Sequence, residues 1–248
     1  MTARSCTTLL LFALSTLGAG LSLACSSVAP SATATVAPLA ARQDRKAAHG
    51  ELGPEAGAVR AGSEREQRIL AVLQEMYADR SRRHLSISEE DGRLMRLLTE
   101  AAGARRVVEI GTSTGYSGLW FTLALSADGA ELITHELDPE RASTAQANFE
   151  KAGVAGQVRI VVGDAHETVG QLEGPIDVVF LDADKEGYLD YFQKLLPKLR
   201  PGGLVLAHNM NRPTPDPRFV EAITKDPALE TVFLLMDGAG VSVTLKKR

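Results

Sequence analysis

A glycine-containing segment after an apolar run is the first place where the sequence predicts chemistry. Residues Glu109–Ser117 read Glu-Ile-Gly-Thr-Ser-Thr-Gly-Tyr-Ser and follow Val107-Val108. A glycine turn between a strand and a helix lets a ligand approach backbone N–H groups closely. Three residues separate the two glycines, so the G-x-G-x-x-G pattern of dinucleotide-binding proteins is absent. The segment therefore predicts a cofactor loop and disfavours a NAD-dependent dehydrogenase.

Acidic residues follow two further apolar runs. Glu136 ends the run 131–135, and Gly163-Asp164-Ala165 follows the run 158–162. An acidic side chain at such a strand end can accept hydrogen bonds from both hydroxyls of a ribose. A solvated strand end is the alternative for Glu136, but its offset from the glycine segment favours a bound nucleoside.

Two carboxylates and an amine leave the most apolar run of the chain together. The segment Leu181–Lys185 reads Leu-Asp-Ala-Asp-Lys and ends the run 176–181. A structural salt bridge is one interpretation. A catalytic group at the tip of a buried strand is the interpretation that we favour.

The elements that position these residues alternate between strands and helices. Alternating units of this kind predict an α/β protein with a doubly wound, mostly parallel, seven-stranded sheet whose ligands bind at the carboxyl ends of the strands. A Gly-Ala-Gly turn at 238–240 predicts that the last two strands form an antiparallel hairpin. The predicted strands are 106–110, 131–135, 158–162, 176–181, 204–207, 231–236 and 241–246. The predicted helices are 64–83, one beginning at the N-cap Ser88, 117–125, 139–152, 188–199 and 218–225.

On these motifs the region from about Leu85 to Arg248 resembles class I S-adenosylmethionine-dependent O-methyltransferases of the caffeoyl-CoA and catechol O-methyltransferase family. The resemblance also includes Tyr188 and Gly202-Gly203. It implies a Rossmann-like methyltransferase fold, S-adenosylmethionine as cofactor and a small hydroxylated, catechol-like acceptor. The cofactor-binding residues that it implies are Glu109, Gly111, Gly115, Tyr116, Ser117, Glu136, Asp164, Ala165 and Asp182.

The resemblance also implies the catalytic groups. Asp182 matches a metal ligand that lies near the amino group of the cofactor, and Lys185 matches a lysine proposed to take the proton from the acceptor hydroxyl. A divalent cation (Mg, Mn or Ca) held by oxygen ligands would lower the pKa of the acceptor hydroxyls. The implied metal ligands are Asp182, His208 and Asn209.

The sequence departs from the family at His208, where the family has aspartate before the asparagine. Three roles for His208 are open. It coordinates a metal, with a preference shifted toward Mn²⁺, Fe²⁺ or Zn²⁺; it acts as a base or hydrogen-bond partner of the substrate without a metal; or it is an inert substitution in an enzyme of altered chemistry.

The N-terminal segment predicts an exported chain. Residues 1–25 have one early charge, Arg4, then an apolar stretch and Cys25, which resembles a lipoprotein signal peptide. Residues 26–62 predict a flexible linker and 63–248 the methyltransferase domain. The alternatives are simple secretion, an uncleaved membrane anchor, or a non-functional N-terminus on a cytoplasmic enzyme. The two cysteines of the chain, Cys6 and Cys25, both precede the domain, which excludes a disulfide framework or cysteine metal site within it.

The composition of the chain limits the classes of molecule that we expect it to bind. The formal net charge is -4 and aromatic residues make up 5% of the 248 residues, so a nucleic-acid role is disfavoured. The predicted partners are a small-molecule acceptor, a membrane through a lipid on Cys25, and a second copy of the chain, with helix 64–83 as the interface. The competing functions are a metal-independent methyltransferase with another type of acceptor and a tethered, non-catalytic nucleoside-binding protein.

Overall fold

The fold is built on one mixed seven-stranded sheet. A computed structural model describes residues 59–79, 87–211, 215–234 and 239–248, so the predicted signal peptide and most of the predicted linker lie outside the described residues. The strands are β1 (Arg106–Ile110), β2 (Glu131–Glu136), β3 (Val158–Val162), β4 (Ile176–Leu181), β5 (Leu199–His208), β6 (Leu229–Leu234) and β7 (Val241–Lys246). Their order is β3-β2-β1-β4-β5-β7-β6.

The strand directions confirm the predicted topology. The strands β1 to β5 run parallel, whereas β7 pairs antiparallel with both β5 and β6. Parallel neighbours need crossover connections, and these are the helices that alternate with the strands. The predicted doubly wound sheet and its antiparallel C-terminal strands are therefore both present.

Seven helices accompany the strands in the described part of the chain. They are α1 (Glu64–Ala78), α2 (Glu89–Ala101), α3 (Tyr116–Ala124), α4 (Pro139–Lys151), α5 (Ala165–Thr168), α6 (Tyr188–Leu195) and α7 (Pro217–Lys225). Side chains of Ser63, Ser88 and Asp138 accept hydrogen bonds from the first turns of α1, α2 and α4, as N-caps do. None of the helices in the described residues combines the length and apolarity needed to cross a membrane.

Successive residues of the inner strands face opposite sides of the sheet. In β1, Val107 joins an apolar cluster with α1 to α4, while Val108 joins a second cluster with α6 and α7. This alternation follows from the period of two in a strand, and it explains why strands buried on both faces read as continuous apolar runs. The apolar side of α1, including Ile69 and Leu73, is buried in the first cluster; the predicted dimer interface at this helix stays a prediction.

The boundaries of several predicted elements are wrong: the strand predicted over 204–207 spans Leu199–His208, and the strand predicted from 231 begins at Leu229. The helix predicted over 188–199 ends at Leu195, and β5 begins already at Leu199, because Leu199 pairs with Ile176 of β4. The helix predicted from Ser117 begins at Tyr116, directly after a left-handed Gly115. The ends of the predicted elements 64–83 and 231–236 lie partly outside the described residues.

The register of the inner strands brings their carboxyl ends to one edge. Ile110 of β1 lies beside His135 of β2 and Leu181 of β4, and Leu181 lies beside Ala207 of β5. The polar residues that follow these strands therefore meet at that edge, as a doubly wound sheet requires.

Candidate active site

A cleft of about 780 Å³ opens at this edge of the sheet. Its volume is within the range of small-molecule sites. The predicted site residues that line it are Gly111, Tyr116, Ser117, Glu136, Asp164, Ala165, Asp182, His208 and Asn209. Glu109, Gly115 and Lys185 do not line it, although each contacts or adjoins a residue that does. Most of the predicted site residues thus meet at one cleft, and their roles stay predictions.

The glycine turn after β1 lies close to the backbone that follows β4. Gly111 has φ +104°, and a Cβ atom there would lie well inside van der Waals contact with the carbonyl oxygen of Asp182. Only glycine meets both conditions without strain. The next residues place Ser113 at φ 49°, and its N–H donates to Glu136 Oε2 at 2.7 Å.

The buried hydroxyl of Ser113 lies on the wall of the cleft without a hydrogen-bond partner among the described residues. A buried unpaired polar atom in a cleft is an unsatisfied group that a ligand can satisfy. The turn and Glu136 thus fit a bound nucleoside such as that of S-adenosylmethionine. No sequence signal singled out Ser113 from the other residues of the turn.

Glu109 lies behind the residues that line the cleft and is not one of them. Its carboxylate is fully buried and accepts hydrogen bonds from Ser117 Oγ at 2.5 Å and Thr134 Oγ1 at 2.6 Å. Burial raises the pKa of Glu109 to about 7, although both hydroxyl donors act in the opposite direction. The residue holds Ser117, which lines the cleft.

A second acidic residue of the predicted cofactor site has a structural role. Asp164 Oδ1 accepts from the N–H of His166 at 2.8 Å and so caps the short helix α5. The ring of His166 stacks on Tyr191 at 4.3 Å and contacts Asp190 Oδ2 at 2.6 Å. His166 and Tyr191 also line the cleft, and sequence reasoning missed both, since their contact with each other is tertiary.

Asp182 and Lys185 meet at the end of β4, as predicted. Lys185 Nζ donates to Asp182 Oδ1 at 3.1 Å and to the Tyr188 hydroxyl at 2.7 Å. Tyr188 in turn donates to the carbonyl oxygen of His208 at 3.2 Å. Burial and the nearby carboxylates hold the pKa of Tyr188 well above its usual value, so this hydroxyl stays protonated. The amine of Lys185 is thereby fixed beside a carboxylate that lines the cleft.

His208 lies between two carboxylates. Its Nδ1 is 3.2 Å from Asp182 Oδ2, and its Nε2 is 3.3 Å from Asp91 Oδ2. Burial alone would lower the pKa of His208, but the two carboxylates outweigh it and raise that pKa to about 9. Burial would raise the pKa of Asp182 and of Asp91, yet their hydrogen bonds with His208 hold both below the usual value. Asp91 was not among the site residues predicted from the sequence.

The predicted metal ligands do not fit a divalent cation in this arrangement. Both oxygens of Asp182 and both ring nitrogens of His208 already have partners, and Asn209 Nδ2 donates to Asp182 Oδ1 at 2.8 Å. A metal-bound imidazole needs a free lone pair. Within the described ranges, no group of three or more His, Cys, Asp or Glu side chains has the arrangement of a metal site.

Comparison with known proteins agrees with this geometry. A model of the O-methyltransferase family matches residues 60–212. A catechol O-methyltransferase from Niastella koreensis is 38% identical over 165 residues, which cover 64% of this chain and 73% of the relative.

Solved structures agree as well. An O-methyltransferase from Bacillus cereus, in complex with SAH, matches at a TM-score of 0.63 and 26% identity, over 77% of this chain and 94% of that one. The O-methyltransferase TomG from Streptomyces achromogenes, in complex with SAM, matches at 0.64 and 27%, over 78% and 94%. Sequence motifs, sheet order and cleft agree with these similarities, and the chain belongs to the O-methyltransferase family as a class I S-adenosylmethionine-dependent enzyme.

Proposed function

We propose that this enzyme methylates one hydroxyl of a small, catechol-like acceptor. The observation that carries the proposal is the contact of Lys185 with Asp182 at the cleft that also contains Glu136. A nucleoside-binding protein without activity has no need of an amine fixed at 3.1 Å from that carboxylate. The name of the relative from Niastella koreensis, catechol O-methyltransferase, supports the class of acceptor.

The chain's own groups bind the two reactants and move one proton. We assign Glu136 to the ribose hydroxyls and the Glu109–Ser117 turn to the methionine part of the cofactor. When bound, S-adenosylmethionine supplies a methyl group on a positively charged sulfur. Lys185, as the free amine, takes the proton of the acceptor hydroxyl. The acceptor O–CH₃ bond forms as the S–CH₃ bond breaks, and the positioning of the two reactants contributes most of the rate.

The divalent cation stays a prediction of the sequence. None of the steps above needs a metal. The dimer likewise stays a prediction of the sequence.

Calorimetry and a methyl-transfer assay on the full-length chain test the proposal. We expect S-adenosylmethionine to bind in the micromolar range, and Glu136→Gln to weaken binding by on the order of 10-fold because one acceptor oxygen is lost. Lys185→Met should leave this affinity within about a factor of three while lowering kcat for a catechol by on the order of 100-fold or more. Lys151→Met is the matched control, since its amine pairs with Glu75 on an exposed surface.

Different results would contradict methyl transfer itself and the role of Lys185 in it. Cofactor binding without transfer to any hydroxylated acceptor would favour the nucleoside-binding alternative. An unchanged kcat in Lys185→Met would remove that residue from the mechanism.

A further inference from the structure

The strongest observation outside the assigned roles is the pairing of His208 with a carboxylate from a distant helix. Asp91 lies in the first turn of α2, and only 3% of it is exposed. Its Oδ2 accepts from Ser88 Oγ at 2.8 Å and lies 3.3 Å from His208 Nε2. A buried carboxylate is costly unless it is paired. Asp91 therefore has a specific partner in His208, which is the last residue of β5.

The other side of the imidazole faces Asp182. There Nδ1 is 3.2 Å from Oδ2, while Oδ1 of the same carboxylate accepts from Lys185 and Asn209. Asp91, His208, Asp182 and Lys185 thus form a continuous chain of contacts, which we call the His208 clamp. Both carboxylates in it contact the His208 ring, one at each nitrogen.

The ligand atoms of the His208 clamp do not fit a hard cation. Mg²⁺ and Ca²⁺ take six or more oxygen ligands and favour sites rich in carboxylates. Here both ring nitrogens of His208 and both oxygens of Asp182 already have partners, and Asp182 is the only carboxylate among the three predicted ligands. An aspartate at position 208 would supply a second carboxylate and place a new oxygen beside Asp182.

We propose that methyl transfer in this enzyme proceeds without a divalent cation, and that His208, held between Asp91 and Asp182, orients the Asp182 carboxylate that accepts a hydrogen bond from Lys185. Asp91 is then a positioning residue, since it acts on the site only through His208. This inference rests on the proposed O-methyl transfer, but the cation-binding test below needs no acceptor.

Manganese titration of the full-length chain, loaded with S-adenosylmethionine, is the first test. We expect wild type and Asp182→Asn to give the same Mn²⁺ isotherm by calorimetry, and wild-type turnover of a catechol to be unaffected by EDTA. His208→Asp is expected to gain a Mn²⁺ site with a Kd below about 1 mM, on the order of 4 kcal/mol of binding free energy. A wild-type Mn²⁺ site that Asp182→Asn abolishes would overturn the proposal, as would a His208→Asp variant without any gain.

The role of Asp91 is tested by separating kcat from KM. Asp91→Asn keeps the shape of the side chain but removes its charge, so we expect kcat to fall on the order of 10-fold while the affinity for S-adenosylmethionine stays within about a factor of two. Glu90→Gln is the matched control, because Glu90 is an exposed acid in the same helical turn. An equal loss of cofactor affinity and kcat, or no loss at all, would contradict a positioning role.

Discussion

Two glutamates at neighbouring strand ends show how the environment of a residue sets its chemistry. Glu109 is enclosed by Ser117 and Thr134, and its pKa is raised to about 7. Glu136 instead accepts from two backbone N–H groups, those of Ser113 and Asp138. Both acids were predicted as cofactor ligands from the sequence, but only Glu136 lines the cleft. The sequence did not reveal this difference, because the burial of Glu109 depends on the packing of α3 against the sheet.

The raised pKa of Glu109 predicts a specific dependence of stability on pH. In the unfolded chain this group titrates near pH 4.5, so the folded state holds the proton more tightly. The resulting stabilisation is complete below about pH 4.5 and is lost as pH rises through about 7. Glu109→Gln mimics the protonated form, and Thr134 can reverse its hydroxyl toward Thr112, 2.5 Å away.

We therefore expect Glu109→Gln to be more stable than wild type above pH 7 by about 1–3 kcal/mol, with the difference vanishing below pH 5. Urea denaturation at pH 5, 7 and 8.5 measures this directly. The exposed Glu173→Gln variant is the control and should follow the wild-type pH dependence. A Glu109→Gln variant that is less stable than wild type at every pH would show that the carboxylate is ionised in the fold.

At the scale of elements, the turn between β1 and α3 combines close backbone approach with left-handed glycines. The glycines of this turn were predictable, because two glycines shortly after an apolar run are typical of a turn from a buried strand into a helix. The early start of β5 was not, since Leu199 pairs with Ile176 only after the chain has folded back. The start of α3 at Tyr116 depends likewise on the left-handed Gly115, a backbone angle that no residue pattern fixes.

A Gly111→Ala substitution tests the importance of that turn. The new methyl group would press on the Asp182 carbonyl at a φ that alanine avoids, so we expect a loss of at least about 2 kcal/mol in the free energy of unfolding. For a folded unit of this size that loss lowers Tm by roughly 4–8 °C. The cofactor affinity should fall as well, because the backbone that faces the cleft must shift.

Gly170→Ala supplies the matched control for this prediction. Gly170 is exposed, its φ is not positive, and an added Cβ would meet nothing within 4 Å. Its Tm should therefore stay within about 2 °C of wild type, in line with the small effects of most surface substitutions. Equal effects of the two substitutions would mean that the close approach at Gly111 relaxes without cost.

At the scale of the whole molecule, the mostly parallel sheet with its antiparallel C-terminal pair was predictable, whereas the contact between Asp91 and His208 was not. Alternating strands and helices indicated five parallel strands, and a glycine-rich turn indicated the C-terminal antiparallel pair. Asp91 and His208 are 117 positions apart, and no periodicity links them. Their contact forms because α2 packs on α3, where Gly92 lies directly against the ring of Trp120. A single sequence carries no local signal of such a pair.

The location of the whole chain is the remaining proposal, and it rests on sequence alone. The segment 1–25 predicts export and lipidation at Cys25, which would tether the folded unit Ala58–Arg248 to a membrane by an acyl anchor. Cys25→Ala should then lose incorporation of labelled fatty acid in a bacterial host, whereas Cys6→Ala should retain it and serves as the control.

The result of this labelling experiment also bears on how the enzyme obtains its cofactor. S-adenosylmethionine is made in the cytoplasm, so a lipidated enzyme on the outer side of a membrane would depend on cofactor that crosses it. If wild type takes up no label and fractionates with soluble proteins, the lipoprotein prediction is wrong. The enzyme then acts in the compartment where its cofactor is made. If label enters at Cys25 alone, methyl transfer by intact cells to an acceptor that cannot enter them becomes the decisive assay.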